Sequence, residues 1–233
     1  VIGEDFWTGG GVTAKRVSAA LRIIGDQDVT VKINSPGGDM FEGIAIYNLL
    51  RAHKAKVTVE VLGWAASAAS IIAMAGDEIR MGLGTFMMVH NAWGIVVGNR
   101  HDMRDAADLF DGFDSAIADI YEARAGMKRA DIEKLMDAET FMGPSEAVKN
   151  GFADAVDEGI DAPEGDAKNS ADRGLMARRQ TEAALARAGF SRETRSEMLL
   201  EMGVGARDAA QKPAARDAGF MASARELLTI MKS

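Results

Sequence analysis

The stretch that most constrains the fold is the most apolar one, VLGWAASAASIIAMAG, from Val61 to Gly76. A membrane-spanning helix needs about 20 predominantly apolar residues. This window is shorter, and Gly, Ala and Ser crowd it. It therefore belongs inside a folded domain, as a buried strand that runs into a buried helix. The surrounding chain supplies a matching pattern. VTVKI (Val29 to Ile33) and VTVEVL (Val57 to Leu62) are short, β-branched and bounded by turn or polar residues, and MMVH (Met87 to His90) is a third candidate strand. Helical patterns lie between them. Thr13 is placed to cap AKRVSAALR, and FEGIAIYNLLRAH repeats apolar residues at Ile44, Tyr47 and Leu50. Strands alternating with helices predict an α/β fold of repeated βαβ units, with a mainly parallel sheet and helices outside it.

A long helix is predicted from Asp102 to Ala125, where Met103, Ala106, Phe110, Phe113, Ile117 and Ile120 form a stripe at three-four spacing. Aspartates at 102, 105, 108, 111 and 114 share this stretch. A strict three-residue step rotates by about −60° each time on a helix of about 3.6 residues per turn. The five therefore sweep around the helix and read as a solvated face, not a metal cluster. No metal or other cofactor is expected.

The 233 residues suffice for one sizeable core plus an appendage. Composition changes near residue 160, which predicts a domain over 1–160 and a linker with a helical tail over 161–233. Asp161 to Gly174 is polar and carries Pro and Gly. Beyond it, MARRQTEAALARAG, SRETRSEMLLEMG (with Ser191 as N-cap) and a last segment ending ARELLTIMK read as short helices. The net charge of −8 argues against a duplex nucleic-acid partner, which needs a basic surface. The absence of cysteine excludes disulfides, thiol nucleophiles and thiolate metal sites, and fits a reducing compartment. With no secretory signal and no membrane span read, a cytoplasmic location is expected.

Three segments carry chemistry. INSPGGD (Ile33 to Asp39) follows a strand, and its paired glycines let backbone N–H groups turn toward a ligand, though a tight strand-to-helix turn uses them equally well. GWAASAAS (Gly63 to Ser70) also follows a strand. Ser67 sits at the start of a helix, with the Ala68 N–H beside it as an oxyanion donor. Alone, this piece reads as well as a small-residue helix capped by Ser67. MMVHNAW places His90 at a strand end, 23 residues beyond Ser67. The other histidines, His53 and His101, lie in polar surroundings and read as surface residues. Together the three segments change the reading. Strand ends on one side of a parallel sheet form the usual site in such folds, and a serine hydroxyl needs an adjacent base to become a nucleophile.

INSPGGD, GWAAS and MMVHN, in this order and spacing, resemble the signature of the Clp protease family. The resemblance runs from about Ile24 to Val156 and continues through DIEKLMDAETFMGPSEAVKNGFADAV (Asp131 to Val156). It implies a ClpP/crotonase-like fold and a serine endopeptidase that works without ATP of its own. Ser67 matches the nucleophile, His90 the base, and Gly38 and Ala68 the oxyanion-hole positions. The third triad position departs from the family's usual Asp. It aligns with Glu139, two residues before Phe141, and Asp137 is the competitor. The tail TEAALARAGFSRETRSEML is similar to the head-maturation (prohead) proteases of tailed phages and prophages. That implies capsid or scaffold proteins as substrates, in the host cytoplasm or the prohead. The Asp102–Ala125 helix matches the family's projecting helix and implies a ring-shaped homo-oligomer. Two other functions fit parts of the pattern: a catalytically silent capsid-assembly scaffold, and a crotonase-like acyl-CoA enzyme. The second has no need of Ser67 paired with His90.

Overall fold

The computed structural model describes residues 1–4, 10–159, 181, 185, 190 and 192–201. The chain divides into two compact units, Val1–Arg179 and Gln180–Ser233.

In the first unit, α1 (Ala14–Ile24) starts where the Thr13 hydroxyl accepts from the Arg16 N–H, and stops at Gly25, whose φ of 68° suits glycine. β1 (Val29–Ser35) leads to α2 (Met40–Arg51), capped by the Asp39 carboxylate. β2 (Val57–Ala66) runs into the short α3 (Ala68–Ala73). β3 (Glu78–Gly82) and β4 (Phe86–Val89) precede the 26-residue α4 (Arg100–Ala125). α5 (Arg129–Asp137), β5 (Thr140–Met142), α6 (Pro144–Lys149) and β6 (Ala155–Asp157) complete the unit. In the second unit the described helix is α7 (Arg192–Glu201). The predicted Ser191 cap and the linker Asp161–Gly174 lie outside the described residues.

The strand order is β5-β4-β2-β3-β6, with β1 also paired to β2. Pairing is parallel except between β4 and β5. β2 organises the sheet. β1 and β3 both pair with its Thr58–Val61 stretch, so they occupy opposite edges; β4 then takes over from β3 along Trp64–Ala66. Such a strand meets neighbours on both edges and both faces. That explains why Val57, Val59, Val61, Ala65 and Ala66 are all buried.

The predicted strand-to-helix reading of the apolar window holds. Every residue of α3 is buried, and its small side chains permit close approach: a Cβ on Gly43 of α2 would lie 3.0 Å from the Ala68 Cβ. The polar surface carries ion pairs such as Lys56–Glu78–Arg80, which hold the Glu78 carboxyl down at about 2. Among the described residues no helix is long and apolar enough to cross a membrane, and no cluster of three or more His, Asp or Glu is arranged for a metal ion.

Candidate active site

Because β1, β2 and β4 are parallel, their C-terminal ends fall on one side of the sheet. The three segments singled out in the sequence leave the sheet there. Ser67 directly follows β2, and its N–H donates to the Met88 carbonyl of β4 at 2.9 Å. Its backbone sits at φ 56°, ψ −127°. Such a conformation costs a non-glycine residue of order 1–3 kcal/mol and persists only where the surroundings enforce it. His90 directly follows β4. Its Nε2 lies 2.6 Å from the Ser67 Oγ, within the range for proton transfer between base and nucleophile. His90 is buried and Ser67 half-buried.

A hydrogen-bond chain supports the elbow from behind. The Ser67 carbonyl accepts from the Ser70 hydroxyl at 2.6 Å, in addition to the Ser70 and Ile71 N–H groups. Having given its one proton to a carbonyl, Ser70 Oγ must accept from the Tyr121 hydroxyl, 2.8 Å away. Tyr121 is fully buried, which pushes its phenol well above the usual range against the smaller opposing effect of the Ser70 bond. Sequence reasoning missed Ser70 and Tyr121, which are 51 residues apart.

The glycine turn is shaped by its neighbours. The Ile2 N–H donates to the Gly37 carbonyl at 2.9 Å, and the Asp39 N–H donates to the Ile2 carbonyl at 3.0 Å. Both flanking groups of Gly38 are thus consumed on one side, and by the alternation of an extended chain its own N–H faces the other way. A side chain cannot be added here. A Cβ on Gly38 would lie 2.1 Å from the Ile2 carbonyl oxygen, and one on Gly37 would lie 2.7 Å from both the Ala66 oxygen and the Ser67 Cβ. Among the described residues the Gly38 and Ala68 N–H groups donate to no backbone acceptor. The sequence pointed to a helix N-terminus behind Ser67. With α3 only six residues long, what the site offers is the individual Ala68 N–H, not the dipole of a long helix.

Two carboxylates, Asp137 and Glu139, stand where α5 gives way to β5. The Asp137 Oδ1 accepts from the Asn91 side chain at 2.8 Å. The β4–β5 ladder ends with Val89 paired to Thr140, so His90 and Glu139 each lie one residue outside it. Glu139 has φ 48°, and among the described residues only it and Ser67 are non-glycines in that half of conformational space. A third carboxylate, Asp114 of α4, accepts from the Ala92 N–H at 2.6 Å. Burial raises its carboxyl; the Ala92 bond opposes that, while Asp111 and Asp137 reinforce it. The acidic row thus behaves as predicted at its exposed members, whereas Asp114 is half-buried and bonded.

Beside the Ser67–His90 pair lies a pocket of about 310 Å³, with walls that include Met40, Phe41, Phe110, Phe113 and Ile117. Phe113 meets both Phe41 and Phe110 edge-on, at 5.2 and 5.8 Å between ring centres. The α4 stripe read from the sequence is, over this stretch, a pocket wall.

Known proteins resemble this chain in sequence and in fold. A curated relative, the ATP-dependent Clp protease proteolytic subunit of Deinococcus radiodurans, is 33% identical over 133 residues, which cover 56% of this chain and 65% of the relative. The match thus spans slightly less than two thirds of that relative's length. Among solved structures, a point mutant of ClpP1 from Listeria monocytogenes superposes with a TM-score of 0.57 at 25% identity, over 62% of this chain and 84% of that one. The family model for Clp protease matches residues 12–159, so the chain belongs to the Clp protease family.

Proposed function

We propose that this chain is an ATP-independent serine endopeptidase in which Ser67 is the nucleophile, His90 the general base and Glu139 the group that orients His90. The carrying observation is the 2.6 Å contact between Ser67 Oγ and His90 Nε2. As Ser67 Oγ attacks a peptide carbonyl, its proton passes to His90 Nε2. The new oxyanion is met by the Gly38 and Ala68 N–H groups, and His90 then gives the proton to the leaving amine. Water repeats the sequence on the acyl-enzyme and frees Ser67. Support for Glu139 over Asp137 comes from its place two residues before Phe141, which matches the family's third triad position; Asp137, which accepts from Asn91 at 2.8 Å, is the competitor. The apolar walls of the adjacent pocket favour substrates with an apolar side chain next to the cleaved bond.

The similarity of the tail to prohead proteases supports capsid or scaffold proteins as substrates, met in the host cytoplasm or the prohead. A homo-oligomer is supported by apolar side chains left in water. Trp93, Ile95 and Val97 are 72%, 88% and 91% exposed, and Leu109 on α4 is 57% exposed.

Labelling with a fluorophosphonate probe beside peptide turnover tests the assignment. Wild type should be labelled at Ser67. Ser67→Ala and His90→Ala should each lose peptide hydrolysis by about three orders of magnitude or more, because the pair acts as one unit. A wild type that takes no label is a silent scaffold. Turnover by Ser67→Ala removes the peptidase reading.

A further inference from the structure

The backbone leaving β4 carries His90, and no regular ladder holds it beyond Val89: residues 90–98 are neither helix nor strand. The direction in which the imidazole points therefore depends on the first bonds the chain makes after the sheet as well as on the imidazole's own contacts. Two such bonds reach it from other elements. The Asn91 side chain donates to Asp137 at 2.8 Å on the exposed rim, and the Ala92 N–H donates to the Asp114 carboxylate at 2.6 Å in a half-buried position. The second fixes the main chain itself, only two residues past His90, and is a charge-assisted bond of the stronger kind. It spans 22 residues of sequence.

Asp114 is also next to Phe113, with Phe110 one turn before it and Ile117 one turn after, and these three side chains line the pocket. The same short piece of α4 thus shapes the pocket and ties down the segment that bears the base. Without the tie, the Ala92 N–H would lose its acceptor and the exit from β4 would be held less firmly, with the Asn91–Asp137 bond remaining on the exposed rim.

We propose that Asp114 is a positioning residue: by holding the Ala92 N–H it sets the path of the backbone leaving β4 and keeps His90 Nε2 aimed at Ser67 Oγ. Asp114 acts through Ala92 and His90, not on the substrate. The proposal rests on the reading of His90 as the general base. A displacement of about 1 Å in a reacting group can cost about 100-fold in rate, so a slack exit from β4 registers in kcat before it registers in binding.

The test uses the full chain with Asp114→Ala, Asp114→Asn, Ala92→Pro and His90→Ala. Peptide turnover is resolved into kcat and KM, the fluorophosphonate labelling rate is measured, and melting temperatures are recorded. Asp114→Ala should lower kcat and the labelling rate by about 10- to 100-fold with KM changed less than about threefold. Asp114→Asn, whose amide oxygen can still accept from Ala92, should recover most of the loss. Ala92→Pro deletes the donor in place of the acceptor, while also restricting Asn91, and should repeat the Asp114→Ala phenotype; if Asp114→Ala does not fold, wild-type kcat in Ala92→Pro is the overturning result. Wild-type kcat in whichever of these two variants folds overturns the proposal, as does Asp114→Asn being as impaired as Asp114→Ala. A fully active His90→Ala removes the base and, with it, any role for Asp114. An inactive His90→Ala beside a wild-type Asp114→Ala removes the positioning role alone.

Discussion

The two halves of α4 have the same kind of sequence and opposite fates. Both carry the three-four apolar spacing, and the helix is capped at each end, by an Asn99–Asp102 capping box and by Gly126 in the left-handed conformation. In the C-terminal half, Ile117, Ala118 and Tyr121 are buried, and Tyr121 packs on Phe152 with ring centres 5.6 Å apart while bonding Ser70 behind the serine elbow. In the N-terminal half, residues 100–105 are all exposed, and Met103 and Leu109 face water at 42% and 57% exposure. Caps and period decide that a helix forms. They do not decide whether its apolar side has found a partner.

That contrast can be broken at either end. The largest effect is expected at Tyr121. Tyr121→Ala removes a fully buried aromatic side chain and should cost about 3–5 kcal/mol in denaturant unfolding. Tyr121→Phe keeps the ring, removes only the donor to Ser70, and should cost about 1–2 kcal/mol. If Tyr121→Ala unfolds like wild type, the anchored half is not anchored.

The free half should answer differently. Met103→Ser with Leu109→Ser should change stability by less than about 0.5 kcal/mol per site at low protein concentration, since neither side chain is buried. The same pair should lower the assembly mass seen by light scattering at micromolar concentration. An unchanged mass would show that this face is not where copies meet.

Asp114, near the middle of the helix, should give the smallest effect. Its folded pKa is raised above 3.8, so between that value and its folded pKa the native state holds more proton than the unfolded chain. Its contribution to stability therefore falls as pH rises through this window. Asp114→Asn lacks that fall. Its melting temperature should gain on wild type as pH is raised from about 3.5 to neutrality. A constant difference between the two proteins would show that Asp114 titrates normally.

What was legible in the sequence was what is local. Val57–Val61 and the small-residue run after it announce a buried strand and helix, and the glycine pair, Ser67 and His90 each stand at the end of such a run. Parallel pairing then carries the ends to one place, as the alternation of elements predicted. What was not legible depends on residues distant in sequence. The five aspartates look equivalent as a series, and nothing local says that the chain after His90 lies against Asp114. Ser70 looks like one more small residue of α3 until Tyr121 reaches it from 51 residues away. Glu139 was chosen by resemblance; its left-handed backbone just ahead of β5 is a feature that one sequence does not display.

The antiparallel pairing of β4 with β5 also has a consequence in time. β4 is four residues long, and its only strand neighbours among the described residues are three residues of β2 and three of β5. A strand that short with one neighbour is poorly held. On a ribosome, which releases the N-terminal part first, His90 emerges about fifty residues before Thr140–Met142 can close the second edge, and Ser67 earlier still. The nascent chain therefore carries both side chains through a stretch of synthesis in which the strand leading to His90 is not yet clamped. The order of the chain thus makes the second clamp on the strand that leads to His90 a late event in the synthesis of the first unit.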